Sequence, residues 1–355
     1  MSWTKTSFGT MENGAEVFRY TLTNEQGVSA SFTDLGGIWL TMMVPDRDGH
    51  LDDVVLGYDT VEKCTTLSGH LGEIVGRNAN RIGGAEFTLN GTTYMLEKNS
   101  GKNNLHSGPD YYRDRIWDTE VEETNLGTRI TFSLFSPDGD QGYPGNANIA
   151  VSYTLTPDNS LKLDYHMVAD ADTVANFTNH CYFNLAGHKS GLAMAQKVWI
   201  DADYFTIADE TSIPTGELVP VAGTPMDFTV MKPVDRDINE DYEPLKLGGG
   251  YDHNWVLNHP AGELALSAKA YDEKSGRMME VYTDLPGVQF YTANFLGGEH
   301  CIGKDNTPYT ARCGYCFETQ HFPDAINKPQ FPSPVLKAGE EYRTTTVYKF
   351  LTDEA

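Results

Sequence analysis

Two titratable side chains stand in segments that suit neither a plain core strand nor a plain surface loop. His180 lies in VANFTNHCYFNLAGH (174–188), close to Asn176, Asn179, Tyr182 and Asn184. Glu318 lies in RCGYCFETQHFPD (312–324), between Phe317 and Thr319-Gln320. Imidazole titrates near neutral pH and a carboxylate accepts protons, so such groups can serve acid–base chemistry if they meet. Other segments carry groups that read hydroxyls. Asn80 and Arg81 stand in GRNANRIGG (76–84), His106 in NNLHSG (103–108), Asp252 and Asn254 in GYDHNWVL (250–257), and Gln289 and Tyr291 in PGVQFYTANF (286–295). Amides, carboxylates, a guanidinium and aromatic faces together are what a neutral carbohydrate requires: paired hydrogen bonds and an apolar platform for its C–H face.

Each residue also has a plain structural reading. A strand histidine is commonly a hydrogen-bonded structural group, and a glutamate beside aromatics sits at a sheet edge. Asp252 can be a turn residue after Gly248-Gly249-Gly250, His106 can cap a loop, and Asn80-Arg81 can be an exposed turn. His253 falls on the opposite face from Asp252 in an extended segment and receives no role. Linear spacing does not bring the groups to one place. The sugar-site reading rests on their accumulation in distant segments.

The elements that must position them read as strands. Ile130, Phe132 and Leu134 alternate with polar neighbours, as do Ile149, Val151, Tyr153 and Leu155, then Leu161, Leu163, Tyr165 and Met167. SPDGDQGYPGN (136–146) and TPDNS (156–160) separate them as turns, which predicts an antiparallel meander with one buried face. FRYTLTNEQGVSASFTDLGG predicts strand, turn, strand. Helical periodicity is scarce; 224–248 reads as a loop with a short helix near VMKPVDRDI. With no linker or internal repeat, the expectation is one all-β domain over 1–355. Two sheets packed face to face would leave a concave outer surface for a ligand. Within it, an extended 176–183 puts Asn176, Thr178, His180 and Tyr182 on one polar face. Cys316, Glu318 and Gln320 likewise share a face.

A net charge of −24 over 355 residues repels phosphate backbones and anionic headgroups, so neither nucleic acid nor a membrane is an expected partner. MSWTKTSFGT lacks the apolar region of a signal peptide. Five sparse cysteines fit a reduced, cytoplasmic protein. The lone pair Cys313 and Cys316 supports no zinc site. GRNANRIGG is no phosphate-binding loop, and no metal or cofactor is expected.

On GRNANRIGGAEFTLNG, NNLHSG, SPDGDQGYPGN, NFTNHCYFNLAGH, GYDHNWVL, PGVQFYTANFL and FETQHFPDAINKPQFPSPVLKAGEEY, in that order, the chain resembles the aldose 1-epimerase (galactose mutarotase) family. The resemblance implies a large antiparallel β-supersandwich and interconversion of the α and β anomers of a free aldose, a small monosaccharide; the expected assembly is a monomer or homodimer. It implies His180 as general acid and Glu318 as general base. It also implies Asn80, Arg81, His106, Asp252 and Gln289 as sugar contacts, with the backbone around Cys181 and Tyr182 bordering the pocket. Ser107, Cys181, Ala293 and Phe317 depart from the family's usual residues, which puts the pocket's shape and the preferred aldose in question. A sugar-phosphate epimerase, a glycoside hydrolase using Asp252 with Glu318, and a non-catalytic sugar-binding module are the competing readings.

Overall fold

The computed structural model describes residues 1–67, 69–298 and 301–353. Among them, antiparallel strands dominate, with only two six-residue α-helices, Val61–Thr66 and Glu243–Gly248. The meander forms where alternation places it. Strands Thr128–Ser136, Ala147–Leu155 and Ser160–Ala169 pair with Phe132 opposite Val151 and Val151 opposite Tyr165. They belong to a nine-stranded sheet that continues through Glu341–Thr352, Arg277–Thr283, Ala265–Tyr271, Lys197–Ile200 and Lys232–Pro233. The strand–turn–strand of Glu16–Thr23 and Ser29–Thr33 lies in a separate five-stranded sheet.

A six-stranded sheet carries the candidate site. Its order is Tyr182–Phe183, Tyr315–Gln320, Gly287–Tyr291, Asp252–Val256, Tyr204–Ala208 and Pro214–Pro220. Phe183, Phe317, Phe290, Trp255 and Phe205 project from one face into a core shared with Tyr153, Tyr165, Val281 and Tyr348 of the nine-stranded sheet. Burying each such side chain contributes about 1.5–3 kcal/mol. That gain fixes which face turns inward, and period-two alternation then turns Asp252, Gln289, Glu318 and Tyr182 outward.

Two local expectations change. The segment 176–183 is not one strand. Thr178–Asn179 pairs with Ile74–Val75, whereas Tyr182–Phe183 pairs with Tyr315 and Cys316. The chain changes partner at His180, so strict parity is lost. Asn176 turns its amide to backbone groups of Ala79 and His321, and Thr178 is wholly buried. The second change concerns 224–248. Val234–Arg236 is a single 3₁₀ turn, and the α-helix comes later, at Glu243–Gly248. It opens with Pro244 in its first turn and stops at Gly249 with a left-handed φ of 66°, as proline and glycine favour at those ends.

The loop bearing Asn80 and Arg81 hangs on a buried guanidinium. Arg77 is fully buried and donates to the carbonyls of Ser136, Pro137 and Pro144 at 3.0, 3.1 and 2.9 Å. Arg77→Met should therefore lower unfolding free energy by about 3 kcal/mol or more, because these buried acceptors lose charged donors. Urea denaturation checks this; a loss below about 1 kcal/mol contradicts it.

Candidate active site

Loops from distant parts of the chain line a cavity of about 220 Å³ on the outer face of the six-stranded sheet. That is smaller than the roughly 300–1,000 Å³ pockets of drug-sized ligands, and it suits a single small molecule. Its wall includes Asn80, Arg81, His106, His180, Tyr182, Asp252, Tyr291 and Glu318. The sheet sets one half of this list by register. Asp252 lies opposite Tyr291, Tyr291 opposite Cys316, and Cys316 opposite Tyr182; Gln289 lies opposite Glu318.

His180 is held by its backbone. Its N–H donates to the Glu73 carbonyl and its carbonyl accepts from the Gly72 N–H, both at 3.0 Å. Gly72 has φ +78°, and a Cβ there would come within 2.2 Å of the Trp39 carbonyl oxygen; only glycine fits this close approach. The ring Nδ1 lies 3.5 Å from the Cys316 sulfur, and Nε2 lies 3.6 Å from Glu318 Oε1. Two groups 138 positions apart in sequence thus share one cavity. Both side chains are almost wholly buried. Glu318 Oε2 and Arg81 Nε are buried with no hydrogen-bond partner among the described residues, an unmet demand that a ligand's polar groups would satisfy.

Burial governs their protonation. It drives His180 down to about 3, reinforced by the neighbouring His70. It pushes Glu318 well above the ordinary carboxylate value, with Asp252 adding to the rise and Arg81 opposing it. This reverses the simple expectation of an untuned histidine beside an ionised glutamate. In a dry cavity the neutral forms are favoured, so the resting proton sits on the carboxyl.

The other predicted residues divide into two groups. Asn80 and His106 are joined, the Asn80 N–H donating to His106 Nδ1 at 3.1 Å; His106 is held well below its ordinary value by burial, then by His70 and His180. Arg81, Tyr182 and Asp252 also line the cavity. Gln289 and Cys181 do not. Gln289 lies beneath and donates to Asp252 Oδ1 at 2.8 Å, so it orients a wall residue. Cys181 is on the same sheet face as Phe183 and packs into the main core. The remaining departures face away too. Ser107 bonds Asn78 and Tyr143, Phe317 packs on Phe290, and Ala293 is buried with φ +52°. None of the four lines the cavity.

His70, Leu105, Phe295 and Leu296 line it as well and escaped the sequence reading. The signal for His70 was its neighbour. Glu73 in LGEIVGR is a carboxylate amid apolar residues, which needs a partner to be buried. The ligating atoms of His106, His180 and Glu318 lie within 4.8 Å of one another, a group able to hold one metal ion. The half-buried Asp46 and the exposed Asp48 and His50 form the other such group among the described residues.

A family model described as aldose 1-epimerase matches residues 19–349. Galactose mutarotase of Sus scrofa is 40% identical over 351 residues, covering 99% of each chain. Aldose 1-epimerase of Escherichia coli (strain K12) is 35% identical over 335 residues, covering 94% of this chain and 95% of its own. Among solved structures, galactose 1-epimerase from Lactobacillus acidophilus NCFM superposes with a TM-score of 0.87 at 25% identity, over 99% of each chain. An aldose epimerase homologue from C. elegans does so with 0.84 at 29% identity, over 94% of this chain and 98% of its own.

The protonation pattern can be tested without any ligand. In ¹⁵N-histidine NMR, His180 should remain neutral throughout about pH 5–8, where a free imidazole would titrate. His180→Asn identifies its signals. A titration step near the ordinary histidine value would contradict the dry-cavity account.

Proposed function

The chain belongs to the aldose 1-epimerase family, and on that basis we propose that this isomerase interconverts the α and β anomers of free aldohexoses such as D-galactose and D-glucose, with His180 and Glu318 carrying the protons. The observation that supports these roles is the 3.6 Å approach of His180 Nε2 to Glu318 Oε1 inside one monosaccharide-sized cavity.

Ring opening breaks the C1–O5 bond. Glu318 takes the proton of the anomeric hydroxyl as the C1–O1 bond becomes a carbonyl, and His180 supplies the proton that O5 gains. The aldehyde turns about C1–C2. Reclosure reverses both transfers: the O5 hydroxyl attacks the other face of C1 and returns its proton to His180, while Glu318 protonates O1. The pair holds one proton throughout and ends as it began. In the bound complex that proton starts on His180, although the empty site favours it on Glu318. Sugar hydroxyls and Arg81 favour the charged arrangement by solvating the carboxylate. Each transfer contributes roughly 10²–10⁴-fold, enough for a reaction that already proceeds slowly in water.

A neutral sugar suits the rest of the chain. The net charge of −24 disfavours anionic substrates and nucleic acid. No described helix is long and apolar enough to cross a membrane. All five cysteines are free and buried, which supports a reducing, cytoplasmic setting.

His180→Asn and Glu318→Gln should each cut kcat by at least about 10²-fold with the fold retained. Polarimetry on fresh α-D-galactose and α-D-glucose measures it; near wild-type rates in either variant would sink the assignment. The pH profile of kcat/KM follows from the shared proton. A second proton joins only as pH falls through the depressed His180 value, and the last one leaves only as pH rises through the raised Glu318 value. The profile should therefore stay flat through the ordinary histidine range. An acid limb near the ordinary histidine value, about 6.5, would contradict it. Glucose 6-phosphate, followed by NMR anomer exchange, should react more slowly than free glucose.

A further inference from the structure

Three imidazoles crowd one wall of the cavity. The His70 ring centroid lies 4.9 Å from that of His106 and 5.5 Å from that of His180, and the latter two are 5.2 Å apart. The mechanism above uses His180, and His106 was already legible as a sugar contact. His70 has been given no task. Yet it is the most elaborately supported of the three. Its Nδ1 bonds the Glu73 carboxylate, which is 3% exposed at its side chain and is also approached by Arg113 Nη1 at 3.4 Å. Burial pushes Glu73 up, but His70 and Arg113 outweigh it and hold the carboxyl below its ordinary value. Arg113 in turn lies over the Tyr111 ring, which packs against His70 in a T-shaped contact.

A structural clamp would explain Glu73 and Arg113 alone. It would not require an imidazole at the cavity wall. His70 is there with its side chain 18% exposed, while Glu73 beneath it is closed off. It also sits at φ 59°, a conformation that costs energy for a residue with a Cβ and that concentrates at functional sites. With Nδ1–H committed to a carboxylate, Nε2 is the polar atom left for a ligand. A neutral ring accepts a hydroxyl proton there; a charged ring donates to the hydroxyl oxygen.

We propose that His70 is a further substrate-contacting residue, reading the C6 hydroxymethyl of an aldohexose, with Glu73 and Arg113 as positioning residues that act through it. The assignment rests on the proposed function. His180 serves O5 and Glu318 serves O1, so the sugar substituent beyond His180 on the side away from C1 is the one borne by C5. His70 packs against His180 but, unlike His106, is not in the group of ligating atoms gathered around Glu318, so we place that arm beside it. The wall thereby distinguishes hexoses from pentoses and 6-deoxy sugars, because a buried polar group loses its partner when the hydroxyl is missing.

The test is kcat/KM for D-galactose, D-fucose (6-deoxygalactose), L-arabinose (which lacks C6) and 2-deoxygalactose, measured by polarimetry with wild type, His70→Phe and His70→Gln. His70→Phe should lower the galactose and 2-deoxygalactose values by about 5- to 20-fold, mostly through KM, the size expected for one lost hydrogen bond. It should leave D-fucose and L-arabinose within about twofold. His70→Gln, which keeps a polar group and the surrounding packing, should retain part of the preference and serves as the readout if the Phe variant folds poorly. Glu73→Gln should reproduce the pattern alone and add nothing on top of His70→Phe. Equal losses on all four sugars, or no loss on galactose, overturn the proposal, and a loss that disappears only with 2-deoxygalactose overturns the C6 assignment. If wild type accelerates none of the four, it is the epimerase reading that has failed instead.

Discussion

Glu318 stands on a strand whose next residue in either direction belongs to the core. Phe317 and Thr319 are buried against the nine-stranded sheet, and the pleat leaves the carboxylate no direction but outward. Outward, however, is not into water. Loops from distant parts of the chain line that face, so the group is buried on both sides. This constraint makes the site: a carboxyl forced out of one core and buried in a small cavity must take up a proton, find a partner or meet a ligand. His180, Arg81 and Asp252 are the groups around it, and their signs explain its state. Asp252 and burial raise its proton affinity, and Arg81 alone opposes them.

The same logic runs through the supporting layers. Gln289 lies on the neighbouring strand, directly opposite Glu318, and spends its amide on Asp252. Gly72 gives up a side chain so that backbone bonds can hold His180 in place. Arg77 neutralises no carboxylate by direct contact; it collects the carbonyls of a turn and fixes the loop that presents Asn80 and Arg81. Geometry of this kind matters because proton transfer needs donor and acceptor within hydrogen-bond reach of the same substrate atoms. The buried Lys304 shows the same economy elsewhere: its ammonium joins Asp53 at 2.6 Å and the carbonyls of Leu40 and Val55, tying a distant loop to the sheet edge.

Much of this was legible in the residues, and the misses have physical causes. The meander over 128–169 was readable because each strand has one wet or polar face and one core face, so alternation carries full information. Asp252, Gln289 and Glu318 were rightly placed on one side of their strands for the same reason. Asn176 and Thr178 were grouped with His180 because parity assumes one continuous strand, and the chain changes partner between Asn179 and Tyr182. Cys181 was named for its position in a motif although parity already pointed it inward. His70 went unnoticed because it sits on a loop with left-handed backbone, where no periodicity speaks.

By itself the sequence determined the all-β class, the inward and outward sets on each long strand, the family, and the two groups proposed to exchange protons, because local alternation and motif order are properties of the chain read in a line. Only the tertiary structure decided that those two groups lie 3.6 Å apart, that Gln289 and Cys181 stand behind the wall, that His70 stands in it, and that the resting proton belongs to the carboxyl. These depend on which distant strands and loops close over one another. Burial and through-space charge, which set the protonation, exist only once they have done so.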